Sequence, residues 1–117
     1  MNLDHGAGRI RGVFTGGNNA PLAQVLEACT APLKDIGVAS VLDQSTWPAD
    51  QWVYSSIGLP TLAFLQDPLD YDTRAHHTNL DTPEHLSAED MAQASTVAAV
   101  LLAQMAAMDE APPRPKP

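Results

Sequence analysis

The sequence predicts an α/β domain, a mixed sheet of about three or four short strands with helices packed on it. Three observations point there. Short apolar runs at Arg11–Thr15, Val38–Leu42 and Thr61–Gln66 are bounded by Gly, Pro, Asn and Asp turn signals. Two longer segments, Asn19–Leu33 and Ser87–Met108, repeat apolar residues at helical spacing. Strand-like and helix-like segments alternate along the chain instead of clustering by type, as an α/β fold requires.

Met1–Asp4 reads as the end of a strand, with Asp4 at its carboxyl edge, where open α/β sheets place ligands. The following His5-Gly-Ala-Gly is a turn whose glycines permit positive φ and close backbone approach. It is no dinucleotide fingerprint, because no third glycine and no immediate helix follow. Gly16-Gly17-Asn18-Asn19 is a strong turn signal, and Asn19 is placed to cap a helix that tolerates Pro21 in its first turn. Leu22, Val25, Leu26, Cys29 and Leu33 form its apolar stripe, Pro32 is expected to kink or break it, and Gly37 ends it. Cys29 on that stripe reads as a small buried hydrophobe. Val38–Leu42 is a short buried strand and Asp43–Asp50 a polar loop.

Gln51–Ile57 is expected to make one or two helical turns closed by Gly58. Thr61–Gln66 is then a strand buried on both faces. Asp67–Asp81 is the long loop leaving its carboxyl end. Ser87 caps the last helix, with Asp90 at capping-box spacing and Glu89 beside it for the helix dipole. Its predicted stripe is Met91, Ala94, Ala98, Leu101, Met105 and Met108, widened by Val97 and Leu102. Residues 1–109 form the domain, and the proline-rich tail 110–117 is expected to be disordered.

The chain has 117 residues and a formal net charge of -8. An acidic surface repels phosphate backbones, which argues against nucleic acid as a partner. No apolar run is long enough to span a bilayer, and no basic segment followed by an apolar one marks a signal peptide. One cysteine allows no internal disulfide.

Chemistry concentrates in Leu69–Thr82, LDYDTRAHHTNLDT, which holds adjacent His76 and His77, three aspartates and Tyr71. Neutral imidazole is the commonest metal ligand, and a carboxylate on its other nitrogen can fix the tautomer. The competing reading is a polar surface loop.

With NLDHGAG near the start, then GLPTLAFLQDPLDY and HHTNLD, the chain resembles the C-terminal half of the co-catalytic dinuclear zinc exopeptidases. The aminopeptidase Y type, and within it the carboxypeptidase Q-like branch, is the nearest pattern. The resemblance runs from Asn2 to about Met108 and implies part of a three-layer α/β/α fold. It also implies peptide substrates, two zinc ions in the complete domain, and a secreted or periplasmic parent enzyme. It puts Asp4 and His77 at metal-ligand positions, on different metals, and has them near each other in space.

The resemblance also assigns neighbours. Tyr71 and His76 fall where that family contacts substrate, with plain packing as the alternative for each. Asp50 matches an aspartate of the outer ligand sphere, although Gln51 stands where a histidine would follow. Asp81 is the candidate carboxylate partner of His77, with a turn cap as the alternative. His5 and His85 are not at pattern positions. His5 is expected to be a bystander, pointing away from Asp4 by strand alternation, and His85 a surface histidine.

The sequence has no H-x-D pair and no E-E pair, so the general base and most ligands of the family are missing. The expectation is a fragment that holds no zinc stably and is inactive alone, with an exposed sheet edge prone to self-association. Two other readings compete: a glutaminyl-cyclase-like enzyme with one zinc, and a non-catalytic binding or assembly module.

Overall fold

The computed structural model describes residues 1–115. They form a mixed α/β domain around a three-stranded sheet. Strands β1 (Ile10–Phe14), β2 (Ser40–Leu42) and β3 (Ala63–Gln66) stand in the order β2-β1-β3. β1 pairs in parallel with β2 (Val13 opposite Val41) and antiparallel with β3 (Val13 opposite Phe64). Asn2 adds a single parallel bridge to Ala63 on the far side of β3. The segment expected to end a strand is thus tied to the sheet at one point.

Helix α1 (Ala20–Thr30) begins as read, with the Asn19 side chain accepting from the Leu22 amide. Pro32 breaks the α-helix as expected, and the chain runs on in a tighter form. A residue without an N–H cannot serve the i→i−4 ladder, and the backbone tightens into 3₁₀ turns over Ala31–Ile36. Gly37, at φ 99°, then closes it in the left-handed region. Helix α3 (Ala88–Ala106) is capped by Ser87, whose hydroxyl accepts from the Asp90 amide. The acids of its first turn also hold Arg9: Glu89 pairs with it, and Asp90 accepts from its Nε at 2.9 Å.

α1 and α3 pack on each other and on β2 and β1, enclosing Ile10, Val13, Leu22, Leu26, Val38, Phe64, Val97 and Leu101. Cys29 is buried in this core. The stripe on α3 is rotated from the expected one. Met91 and Leu102 are exposed, and the buried face is Gln93, Ala94, Val97 and Leu101. Gln93 takes a core position because β1 offers it a backbone to bond. Its carbonyl accepts from the Ile10 amide at 2.9 Å, and its Nε2 donates to the carbonyls of Ile10 and Ile36. Hydrophobicity alone could not identify that position.

β2 is half-buried rather than buried, because it is an edge strand bonded only to β1. In the polar loop before helix α2 (Asp50–Ser56), Asp43 accepts from the Thr15 hydroxyl and the Asn19 amide. These two donors lower the Asp43 pKa. α2 exposes Trp52, Val53 and Tyr54, and Ile57 just after it is exposed too. Of the tail, Pro113 accepts through its carbonyl from the Asn19 side chain, while Lys116 and Pro117 lie outside the described residues. No helix among the described residues is long and apolar enough to cross a membrane.

Candidate functional site

The parallel bridge at Asn2 makes Met1–Asp4 and β3 leave the sheet at the same edge. Past that edge the chain must double back to enter β1, and it does so directly over the end of β3. Gly8 donates to the Asp67 carbonyl at 2.8 Å. A Cβ on Gly6, itself at φ 100°, would lie 2.8 Å from the Gln66 Cβ, and one on Gly8 would lie 2.8 Å from the Asp67 carbonyl oxygen. The glycines of HGAG are therefore required by close approach. The turn they make brings His5 round to face the loop that follows β3.

That loop is more ordered than a plain connection. Tyr71–Ala75 form a π-helical turn, with the His76 amide donating to the Tyr71 carbonyl at 2.8 Å. Ala75, the one buried residue of the turn, anchors it. Thr78 turns its hydroxyl back onto the carbonyls of Arg74 and Ala75. The backbone inverts just before it, at His77 with φ 58°, a conformation that histidine tolerates better than most residues. At the loop's base, His85 Nδ1 meets the Asp70 carboxylate at 2.8 Å. The expected surface histidine is thus half-buried and fastens the turn.

These elements assemble a cluster of rings. His5 lies 5.1 Å from Trp47, 5.5 Å from Tyr71 and 5.4 Å from His76, centroid to centroid. Tyr71 and His76 are 5.1 Å apart, and His76 and His77 4.0 Å. The Asp72 carboxylate sits 3.6 Å from His5 Nε2. The Tyr71 hydroxyl donates to the backbone carbonyl of Asp4 at 3.3 Å. Partial burial pushes the Tyr71 pKa up, and the negative charges of Asp4, Asp81 and Asp72 push it further. Beside the cluster lies a cleft of about 200 Å³ walled by Asp4, His5, Trp47, Gln51 and Asp72.

Among the residues singled out from sequence, Asp4, Tyr71, His76 and His77 therefore share one end of the molecule. Tyr71 and His76 stand between Asp4 and His77. Asp81 is at the same end, acting on Tyr71. Among the described residues it makes no hydrogen bond to His77, and its own amide donates to the Thr78 carbonyl. Asp50 is elsewhere, at the start of α2, lining a separate surface cavity with Met1, Tyr54 and Pro60. Its neighbour Gln51 is buried and structural. Gln51 accepts from the Asn2 side chain at 2.8 Å and donates to Thr46 Oγ1 and the Trp47 carbonyl.

The sequence reading took His5 for a bystander and gave Trp47 and Asp72 no role. The alternation argument turned His5 away, but it needs an extended strand, and Met1–Asp4 is held by one bridge. The flanking glycines were the available signal. Asp72 lay in the stretch already singled out, with nothing to set it apart from the other two aspartates, and Trp47 carried no signal.

No protein-family model, curated protein or solved structure matches the chain. Among the described residues, no group of three or more His, Cys, Asp or Glu side chains is arranged to hold a metal ion. Catalytic zinc normally takes three protein ligands.

Proposed function

We propose that this chain is the C-terminal part of a co-catalytic zinc exopeptidase domain of the carboxypeptidase Q-like kind, hydrolysing terminal peptide bonds only when joined to the rest of that domain. In this reading its three-stranded sheet is part of a three-layer α/β/α fold. Asp4 and His77 each contribute one ligand to a different metal, and Tyr71 and His76 contact the peptide. The observation that carries the reading is the meeting of two distant segments. Tyr71, beside the imidazoles of His76 and His77, hydrogen-bonds the Asp4 backbone at the end of the sheet where Met1–Asp4 and β3 finish. The remaining ligands and the base of that family's site are not among these residues.

A non-catalytic assembly module is the second reading, and the exposed Trp52, Val53 and Tyr54 of α2, with Ile57 just after it, favour it. The test is complementation. The chain is co-expressed with the N-terminal half of a carboxypeptidase Q-like enzyme, and amino-acid release from short peptides is followed with and without chelator. The exopeptidase reading expects chelator-sensitive release that His77→Ala abolishes and His85→Ala lowers only slightly. Release indifferent to His77→Ala would overturn the ligand assignment, and a complex that forms without turnover would favour the assembly module.

A further inference from the structure

The proline-rich end of the chain rests on a surface built to take it. We propose that the groove between the Gly16-Gly17 turn and α2 is a docking site for an extended proline-rich segment, and that this chain's own Pro112–Pro115 occupies it as a strap. The proposal does not depend on the peptidase reading.

Two contacts on different parts of the strap support it. The Pro113 carbonyl accepts from Asn19 Nδ2 at 2.9 Å. Asn19 is only 1% exposed, and its Oδ1 is already committed to the Leu22 amide. Its amide donors therefore need a partner in a place water barely reaches, and the strap supplies one. Two residues on, Pro115 lines a groove of about 310 Å³ with Gly16, Gly17, Trp52, Ser55 and Leu59. Trp52 is 57% exposed. The wall of the groove is thus an aromatic face, the kind of surface on which polyproline ligands dock.

The segment suits the site. In A-P-P-R-P every proline has its φ locked, and each residue before a proline is pushed to extended conformations. The stretch is therefore predisposed to the polyproline II form and loses little entropy on docking. Charge favours the same arrangement. Two of the chain's six cationic residues, Arg114 and Lys116, lie in its last four positions, while the whole carries -8. With those two removed the remainder carries -8 - 2 = -10, so the tail is a basic segment tethered to an acidic body.

The test uses the full chain and the synthetic peptide APPRPKP, read on the indole N–H resonance of Trp52 in an NMR correlation spectrum. In wild type the tethered strap competes at an effective concentration in the millimolar range, so added peptide binds weakly. In the variant P112G/P113G/P115G the groove is vacated, and the peptide shifts Trp52 saturably with an affinity about tenfold higher than in wild type. N19S keeps a capping oxygen for α1 but loses the amide donor, and it raises peptide affinity in the same direction. W52A, read on the backbone amide resonances of Gly16 and Gly17 in the same groove, abolishes binding. Equal affinity for wild type and the glycine variant, or no binding to either, would overturn the proposal. So would an equal response to AGGRGKG, since that would reduce the contact to charge.

Discussion

The two ends of this molecule are built on opposite terms. Around β1, α1 and α3, apolar side chains are fully enclosed, and the polar groups inside bond one another: Gln93 to β1, Asn19 to the α1 amide and the strap, Thr30 to the Leu26 carbonyl. Among the described residues no buried side-chain nitrogen or oxygen lacks a partner. Around Tyr71–Thr82 only Ala75 is buried, and the backbone passes through a π-helical turn and a left-handed histidine. Rings and carboxylates gather there in the open. The first region completes itself. The second spends local backbone freedom on presenting polar groups outward, which is how binding surfaces differ from cores.

The comparison can be broken by stability measurements. Leu26→Ala empties a fully buried position and is expected to cost about 2–5 kcal/mol in denaturant unfolding. Gln93→Ala leaves an amide and two carbonyls without partners and belongs near the same range, roughly 3 kcal/mol. His77→Ala should fall within about 0.5 kcal/mol of wild type. A large cost at His77 would mean that the second region is structural after all.

Gln51→Ala sits between the two ends and should show it. It unties Asn2 from the Thr46–Trp47 loop, with an expected cost of about 1–2 kcal/mol. Hydrogen exchange should speed up at the Asn2 amide, which donates to the Leu62 carbonyl, and not in β1.

Asp43 sharpens the contrast through pH. Its folded pKa lies below its unfolded value, so its contribution is present above the unfolded pKa of about 3.9 and is lost as pH falls through the folded one. Asp43→Asn should therefore flatten the fall in unfolding midpoint on the acid side of about pH 4 and leave the alkaline side unchanged. An unaltered acid limb would show that the Thr15 and Asn19 contacts do not persist in solution.

The smallest effect is at Tyr71. Its pKa is raised, so the stability it lends is present below the unfolded value of about 10 and is lost as pH rises through the folded one. Asp81→Asn should bring tyrosinate absorbance in at lower pH, with Tyr71→Phe as the subtraction control. No movement would place Asp81 away from the phenol and loosen the cluster.

Legibility in the sequence followed the same division. The core elements were readable because capping and periodicity are local: Asn19 and Ser87 cap where expected, and Leu22, Leu26, Cys29 and Leu33 are buried. Gln93 was not readable, because its role depends on a backbone more than eighty positions away. At the site, the reading named Tyr71, His76 and His77 from adjacent letters. It missed His5, whose direction is set by how Gly6 and Gly8 lie on Gln66 and Asp67. Asp72 and Trp47 join through that same tertiary turn.

The central claim is that the open end is part of a metal site that other residues complete. Zinc retention tests it most directly: the chain, its complementary half and the mixture are loaded with zinc, passed over a sizing column and assayed for metal. The account predicts about two zinc ions per complex and none retained by either part alone, with one of the two lost in His77→Ala. Stoichiometric zinc on the isolated chain, or two zinc ions on a complex carrying His77→Ala, would contradict it.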